Sequence, residues 1–402
     1  MVLLLRLKPT KKISVLLHNP LKSGKFEPPD RLIEVFISHP SEQPRVIVIG
    51  TDVRRATGGV SVALSGYLRG LDGLQLLRGF IPTHNDRALQ GRVLPFSLAF
   101  PKLVREIRAV RRTGYQPVVY AHGGGGLSVF RKVSLLRAAR LAGATTLLQL
   151  HSVDVQEWVA ARGSLLALKQ ALKPVQHLCV LSTHWKRLLM DAGISTPISV
   201  IPNPLTPCAE AAANADWQPK EQGETVHILH LTRLVSGKGT DLLLKAMVGL
   251  PEQFHCTIAG DGQSRSQLEA LAKTLGVAER VQFIGWVSEE EKERVFMESD
   301  LFCLPTQHDS FGMGFIEAMS YGLPVVALNW GVVPDVVPHN QVGHLAHSRD
   351  PEALATSVLF FKEAARRAEF GLRARNWARE QFSAESVALK IRAAIEKVEH
   401  SS

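Results

Sequence analysis

Cysteine is scarce in this sequence. The chain holds four, Cys179, Cys208, Cys256 and Cys303, and no two are spaced as a metal-ligand pair. Three of them fall in apolar, strand-like runs, so reduced core thiols in a cytosolic compartment are expected. Long apolar stretches are also missing: none approaches the roughly 20 residues that cross a bilayer. The opening MVLLLRLKPTKK has an apolar run too short for a secretory signal. Aromatic residues make up only 6% of the chain and no nucleic-acid motif occurs, so platforms for stacking bases are few and no nucleic-acid partner is expected. Asp-x-Asp occurs nowhere. A bound diphosphate would therefore lack an evident acidic clamp for a metal, and neither a metal site nor a cofactor is expected.

Apolar residues, at 45%, are ample for cores, and 402 residues suit two or three domains. The net charge of +10 is unevenly spread. Residues 45–205 hold 21 basic and 7 acidic side chains, whereas residues 206–402 hold 19 and 26. That contrast implies two bodies with different partners. A basic surface could face nucleic acid, anionic lipid or a phosphorylated acceptor.

Residues 1–44, with KPTKK, LKSGKFEPPD and SHPSEQP, read as an extension of low order. From RVIVIG onward, apolar strand runs alternate with helical patterns through residue 205. The expected strands are 45–50, 75–81, 117–121, 145–150, 177–181 and 198–201. The Pro- and Ala-rich segment 206–224 reads as a linker. Strand and helix patterns resume over 225–380, with strands at 226–231, 255–259, 281–284, 301–304 and 324–327. Residues 381–402 read as a last helix. Such alternation predicts doubly wound α/β domains with ligands at the carboxyl ends of the strands.

The stretch LPTQHDSFGMGFIEAMSYGLPVVA, residues 304–327, organises the second half. It reads as strand, acidic loop, helix and strand. Gly312 and Gly314 would let backbone amides approach a ligand with no Cβ in the way. Asp309 lies in the loop and Glu317 in the first turns of the helix. A carboxylate accepts two hydroxyl hydrogen bonds, so this pair beside exposed amides suits a polyol. Upstream, HLTRLVSGKGTDLLLKAM places Arg233 just past a strand and Lys238 at a helix start, between Gly237 and Gly239. Two cations at a helix N-terminus suit a diphosphate. A Walker A loop is excluded, because glycine follows Lys238. Two more strand-to-helix turns follow, IAGDGQSRSQ and VQFIGWVSEE. In the second, Trp286 reads either as a cover for a base or as an ordinary half-buried Trp. In the first half, Gly58-Gly59 occupies a loop, His122 ends a strand before four glycines, and His151 ends TTLLQL. Each histidine is a candidate site residue, with a structural histidine as the alternative.

At these motifs the chain resembles glycosyltransferase family 4, retaining enzymes of the GT-B fold. The family signature has two glutamates with seven residues between them, among these a Phe-Gly. Here the second acid is Glu317 and the pair is Phe311-Gly312, but Asp309 stands where the first glutamate would be. The resemblance covers residues 45–398. It implies two Rossmann-like domains facing across a cleft, with the last helix crossing back to the first domain. It implies sugar transfer from a UDP- or GDP-sugar, a substrate rather than a cofactor, to a saccharide or lipid-linked acceptor in cell-surface polysaccharide or glycolipid synthesis.

By the same resemblance, Arg233 and Lys238 hold the diphosphate and steady the leaving group. Asp309 lies near the donor sugar's hydroxyls and His151 near the transferring sugar. Glu317 takes the ribose, and Gly285 and Val287 meet the base through backbone. Gly58, Gly59, Phe311, Gly312, Met313 and Gly314 surround the donor, and His122 is a candidate acceptor or sugar contact. The alternative is a non-catalytic nucleotide-sugar binding protein, which the Asp309 departure favours. Finally, FRKVSLLRAARLA sets Arg131, Lys132, Arg137 and Arg140 among Val133, Leu135, Leu136 and Leu141. That helix either docks on an anionic cytoplasmic leaflet or packs on the sheet.

Overall fold

The computed structural model describes residues 43–53, 59–84, 89–151, 154–220, 223 and 225–400. The expected extension over 1–44 lies almost wholly outside the described residues, as does Gly58. The first sheet is built from β1 (Pro44–Thr51), β2 (Leu77–His84), β3 (Gln116–Gly123), β4 (Thr145–Leu150), β5 (His177–Val180) and β6 (Ile198–Val200). Between them run α1 (Gly59–Gly73), α2 (Leu89–Arg112), α3 (Leu127–Leu141), α4 (Asp154–Ala160), α5 (Arg162–Ala171) and α6 (Thr183–Asp191). The strand order is β2-β1-β3-β4-β5-β6, with every pairing parallel. The central strands β3 and β4 are buried along nearly their whole length, as befits a parallel sheet covered on both faces.

After α7 (Pro207–Asn214), the second sheet holds β7 (Val226–Leu231), β8 (Phe254–Ala259), β9 (Val281–Gly285), β10 (Leu301–Leu304), β11 (Val325–Leu328) and β12 (Gly343–Ala346). Its helices are α8 (Thr240–Val248), α9 (Arg265–Thr274), α10 (Glu289–Glu298), α11 (Met313–Ser320), α12 (Val333–Val336), α13 (Pro351–Leu359) and α14 (Ala364–Phe382). The order is β12-β11-β10-β7-β8-β9, again all parallel. This order reverses between β7 and β10, where ligands of such sheets bind. The last helix, α15 (Ala384–Glu399), crosses back as expected. It buries Val387, Ile391, Ala394 and Ile395, at helical spacing, in one cluster with Val46, Val48 and Leu64 of the first sheet and α1. No helix among the described residues is long and apolar enough to cross a membrane.

Four readings need correction. The segment read as a linker contains α7. Thr206 caps it by accepting from the Ala209 amide, and Pro207 opens it. Its alanines are strong helix formers, and Arg375 of α14 closes its far end by donating to the carbonyls of Ala212 and Ala215. The second helix, α2, begins well before residue 98 and carries Pro95 and Pro101 within it. It holds because Ala99, Leu103, Ile107 and Val110 form one buried stripe. Strand β12 was missed because GHLA is short and lies among polar residues. The basic helix α3 packs on the sheet: Val133, Leu135 and Leu136 are core, and Lys132 is fully buried. Four of the residues that suggested a membrane-facing stripe are therefore unavailable to lipid.

Candidate active site

Two loops meet at the carboxyl ends of β7 and β10, which are hydrogen-bonded neighbours. The β7 loop runs from Thr232 to the start of α8, and the β10 loop from Pro305 to the start of α11. Backbone bonds lace them together: the Gln307 amide donates to Gly237 O at 3.0 Å, and Gly239 lies flush against Pro305. A Cβ at Gly239 would stand 2.1 Å from the Pro305 carbonyl, and its φ of +78° is left-handed, so only glycine serves there. Beneath the loops, His230 fixes their spacing. Its Nδ1 donates to Cys303 O and its Nε2 accepts from Thr240 Oγ1, both at 2.8 Å. Burial lowers its pKa to about 4, so the ring is neutral and holds that tautomer.

Lys238 crosses from one loop to the other. Its ammonium donates to His308 O at 2.9 Å and to Asp309 Oδ2 at 2.8 Å. The expected diphosphate cation and the expected sugar acid are thus paired. An ammonium has three donors, so one remains for a ligand. Arg233 is exposed, and no ion pair engages it among the described residues. The helices these loops open, α8 and α11, both start without a side-chain cap, behind Gly239 and Gly312 in left-handed conformations. Two sets of first-turn amides therefore stand available beside two cations.

The remaining residues expected at the site take different places. Met313 is the first residue of α11. Gly314 lies against β10, where a Cβ would come 3.2 Å from Phe302, so its smallness serves helix–sheet packing. The Phe311 ring is buried edge-on to Phe382, centroids 5.7 Å apart, and leaves only its backbone for a ligand. Glu317 is buried too, with Lys292 Nζ 3.5 Å from Oε1. Burial pushes its carboxyl above the usual range, while Lys292 partly offsets that. A polyol reaching Glu317 would have to share it with Lys292. Gly285 ends β9 at a φ of +77°, and its carbonyl accepts from Gly260 N at 2.6 Å. Val287 is buried, whereas Trp286 is 74% exposed and not the half-buried residue considered above. The IAGDG turn serves the β7 loop: a Cβ on Gly260 would lie 1.9 Å from Thr232 O, directly beside Arg233.

In the first domain, Gly59 opens α1 with nothing within 4 Å of a Cβ built on it. His122 and His151 lie inside the fold, joined by a 2.9 Å bond between Nδ1 and Nε2. Tyr67 packs beside them, with ring centroids 4.8 Å from His122 and 6.0 Å from His151. Burial drives the His151 pKa down to about 3 and puts His122 well below its usual value, so both rings are neutral. His122 Nε2 is buried without a partner among the described residues. Nearby, Lys132 donates to Ser128 Oγ at 3.1 Å, and burial brings its pKa down to about 7.

Sequence reasoning missed Trp185 and Asp335. Trp185 Nε1 donates to Ser310 O at 2.8 Å, and Asp335 Oδ2 accepts from the His184 amide at 2.7 Å. Both bonds cross between the domains. A tryptophan inside the amphipathic run THWKRLLMD gave no sign of a cross-domain partner. An interdomain cavity of about 300 Å³ lies here, lined by Gln156, His184, Trp185, His308, Asp309 and Trp330 among others.

Residues 213–377 match the family model described as glycosyl transferases group 1. Over 127 residues the chain is 39% identical to D-inositol 3-phosphate glycosyltransferase of Mycolicibacterium gilvum, covering 30% of this chain and 28% of that protein. Over 171 residues it is 30% identical to an uncharacterized glycosyltransferase, MJ1607, of Methanocaldococcus jannaschii, covering 40% and 44%. Over 240 residues it is 30% identical to the phosphatidylinositol N-acetylglucosaminyltransferase gpi3 subunit of Schizosaccharomyces pombe, covering 58% and 50%. The chain thus spans half or less of the length of these relatives. Among solved structures, sucrose-phosphate synthase of Thermosynechococcus elongatus superposes with a TM-score of 0.65 at 19% identity, over 90% of this chain and 100% of that one. Anabaena Alr3699/HepE, solved in complex with UDP and glucose, gives 0.62 at 17%, over 88% and 100%. The fold is therefore GT-B, and residues 213–377, less than half of the chain, match the family model of the group 1 glycosyl transferases.

Proposed function

We propose that this protein is a retaining glycosyltransferase of the family 4 type. It moves a sugar from a UDP- or GDP-sugar to a saccharide or lipid-linked acceptor, without a metal. One observation carries the reading: Arg233, the remaining donor of Lys238 and the uncapped first turns of α8 and α11 converge between β7 and β10. As the bond to the leaving diphosphate breaks, negative charge grows on its oxygens. Fixed cations and amides placed there in advance stabilise that charge with little reorganisation. The sugar left behind is oxocarbenium-like. Asp309, held by Lys238, is placed to accept its hydroxyls. Asp309 and Glu317 are read as binding groups, by the family resemblance, and not as a hydrolase's acid and nucleophile.

The relatives' names support glycosyl transfer, and that of the phosphatidylinositol N-acetylglucosaminyltransferase subunit supports a lipid-linked acceptor. The test is incubation with a panel of UDP- and GDP-sugars, reading released nucleotide. Slow hydrolysis of one donor is expected. Binding of a nucleotide sugar without turnover, with or without candidate acceptors, would favour the non-catalytic alternative, and no binding would reject both. A second reading places the basic first domain against the anionic cytoplasmic leaflet. It passes from α3 to α2, where exposed Leu94 and Leu98 stand beside Lys102 at a pocket of about 330 Å³. Equal sedimentation with neutral and anionic liposomes at low salt would reject it.

A further inference from the structure

We propose that α6 and α12 form an interdomain latch that positions the Asp309 loop, with Trp185 as the positioning residue. The proposal rests on reading the cleft as the transfer site. Three partners pin residues 308–311. Lys238 holds His308 O and the Asp309 carboxylate, Trp185 holds Ser310 O, and Phe382 packs on Phe311. Among these pins only Trp185 belongs to the first domain. Its indole N–H is a donor with no acceptor capacity. The ring is 5% exposed, so its single donor needs a buried partner, and the Ser310 carbonyl provides it.

The neighbouring residue completes the latch. Ser182 caps α6 by accepting from the Trp185 amide, which leaves the other first-turn donors to find partners elsewhere. The His184 amide finds Asp335, a carboxylate from the second domain placed at a helix N-terminus that favours negative charge. The first turn of α6 is thus completed only when the domains are closed. His184 and Trp185 also form one wall of the cavity that Asp309 lines. Separating the domains would break both bonds, open that cavity and release Ser310. Arg233, Lys238 and Glu317 all belong to the second domain, and none of them is bonded to His184 or Trp185, so nucleotide affinity should change little when the latch opens. Closure therefore acts on the loop that carries Asp309.

Two substitutions test this. Trp185→Phe keeps a ring in the packing and removes the N–H. Asp335→Ala, at an exposed position, removes the acceptor. Each should lower kcat about five- to ten-fold, the effect of one lost hydrogen bond. The Kd of UDP or GDP by calorimetry should stay within about two-fold of the parent. Small-angle scattering of the free Asp335→Ala protein should show a larger radius of gyration. An unchanged kcat in both variants, or an unchanged radius in Asp335→Ala, overturns the latch. A parallel loss of nucleotide affinity would mean general damage and also overturns it. Scattering needs no substrate, so it judges the latch even if the parent protein turns over no donor, the result that sinks the functional reading.

Discussion

Single residues carried most of the functional inference, and they divide by how much their role depends on chain neighbours. Arg233, Lys238, Asp309 and Glu317 were legible because each sits in a short motif with glycines at fixed offsets. Their pairing was not, because the Lys238–Asp309 bond joins loops about 70 residues apart. The histidines show the reverse. Position at a strand end suggested His122 and His151, but only the structure shows both buried and bonded to each other. That burial has a consequence for stability. A folded-state pKa of about 3 for His151, against 6.5 when free, means that the unfolded chain binds its proton first as pH falls. Stability from this ring is present above pH 6.5 and is lost as pH falls toward 3. Between pH 7 and pH 5 the loss should be about 2 kcal/mol. Urea unfolding of the parent and of His151→Gln at both values checks this, since the substitution should flatten the dependence. An equal slope in the two proteins would mean that the ring is charged when folded.

At the level of elements, the parallel strands were easiest to read, because burial on both faces leaves continuous apolar runs. Strands β4, β7 and β10 were expected with the bounds they have. Helix α7 shows what composition conceals. PCAEAAAN looks like a low-complexity linker, yet it joins the whole molecule: Glu210 pairs with Arg69 of α1 at 3.0 Å and accepts from the Ala384 amide at 2.8 Å. Those partners lie far away in sequence, so no local pattern announced them. Removing the α7 cap should therefore be felt beyond the helix. Thr206→Ala should destabilise the protein by about 1 kcal/mol, the typical value of an N-cap, measured as a lower urea midpoint with unchanged slope. No change in midpoint would show that packing alone holds α7 in place.

For the whole molecule, two doubly wound sheets were legible from alternation and the returning helix from the family resemblance, and the GT-B likeness bears the fold out. How the domains meet was not legible, because Trp185–Ser310 and His184–Asp335 have no counterpart in sequence spacing. The central claim concerns the chemistry at the junction of β7 and β10: fixed cations, and no metal, stabilise the departing diphosphate. The most direct measurement is kcat/KM for the preferred nucleotide sugar in EDTA, for the parent protein and for Lys238→Ala. The account predicts full activity of the parent in EDTA. It predicts a loss in Lys238→Ala worth about 2–4 kcal/mol of transition-state stabilisation. Activity abolished by EDTA and restored by manganese, or an unchanged kcat/KM in Lys238→Ala, would contradict it.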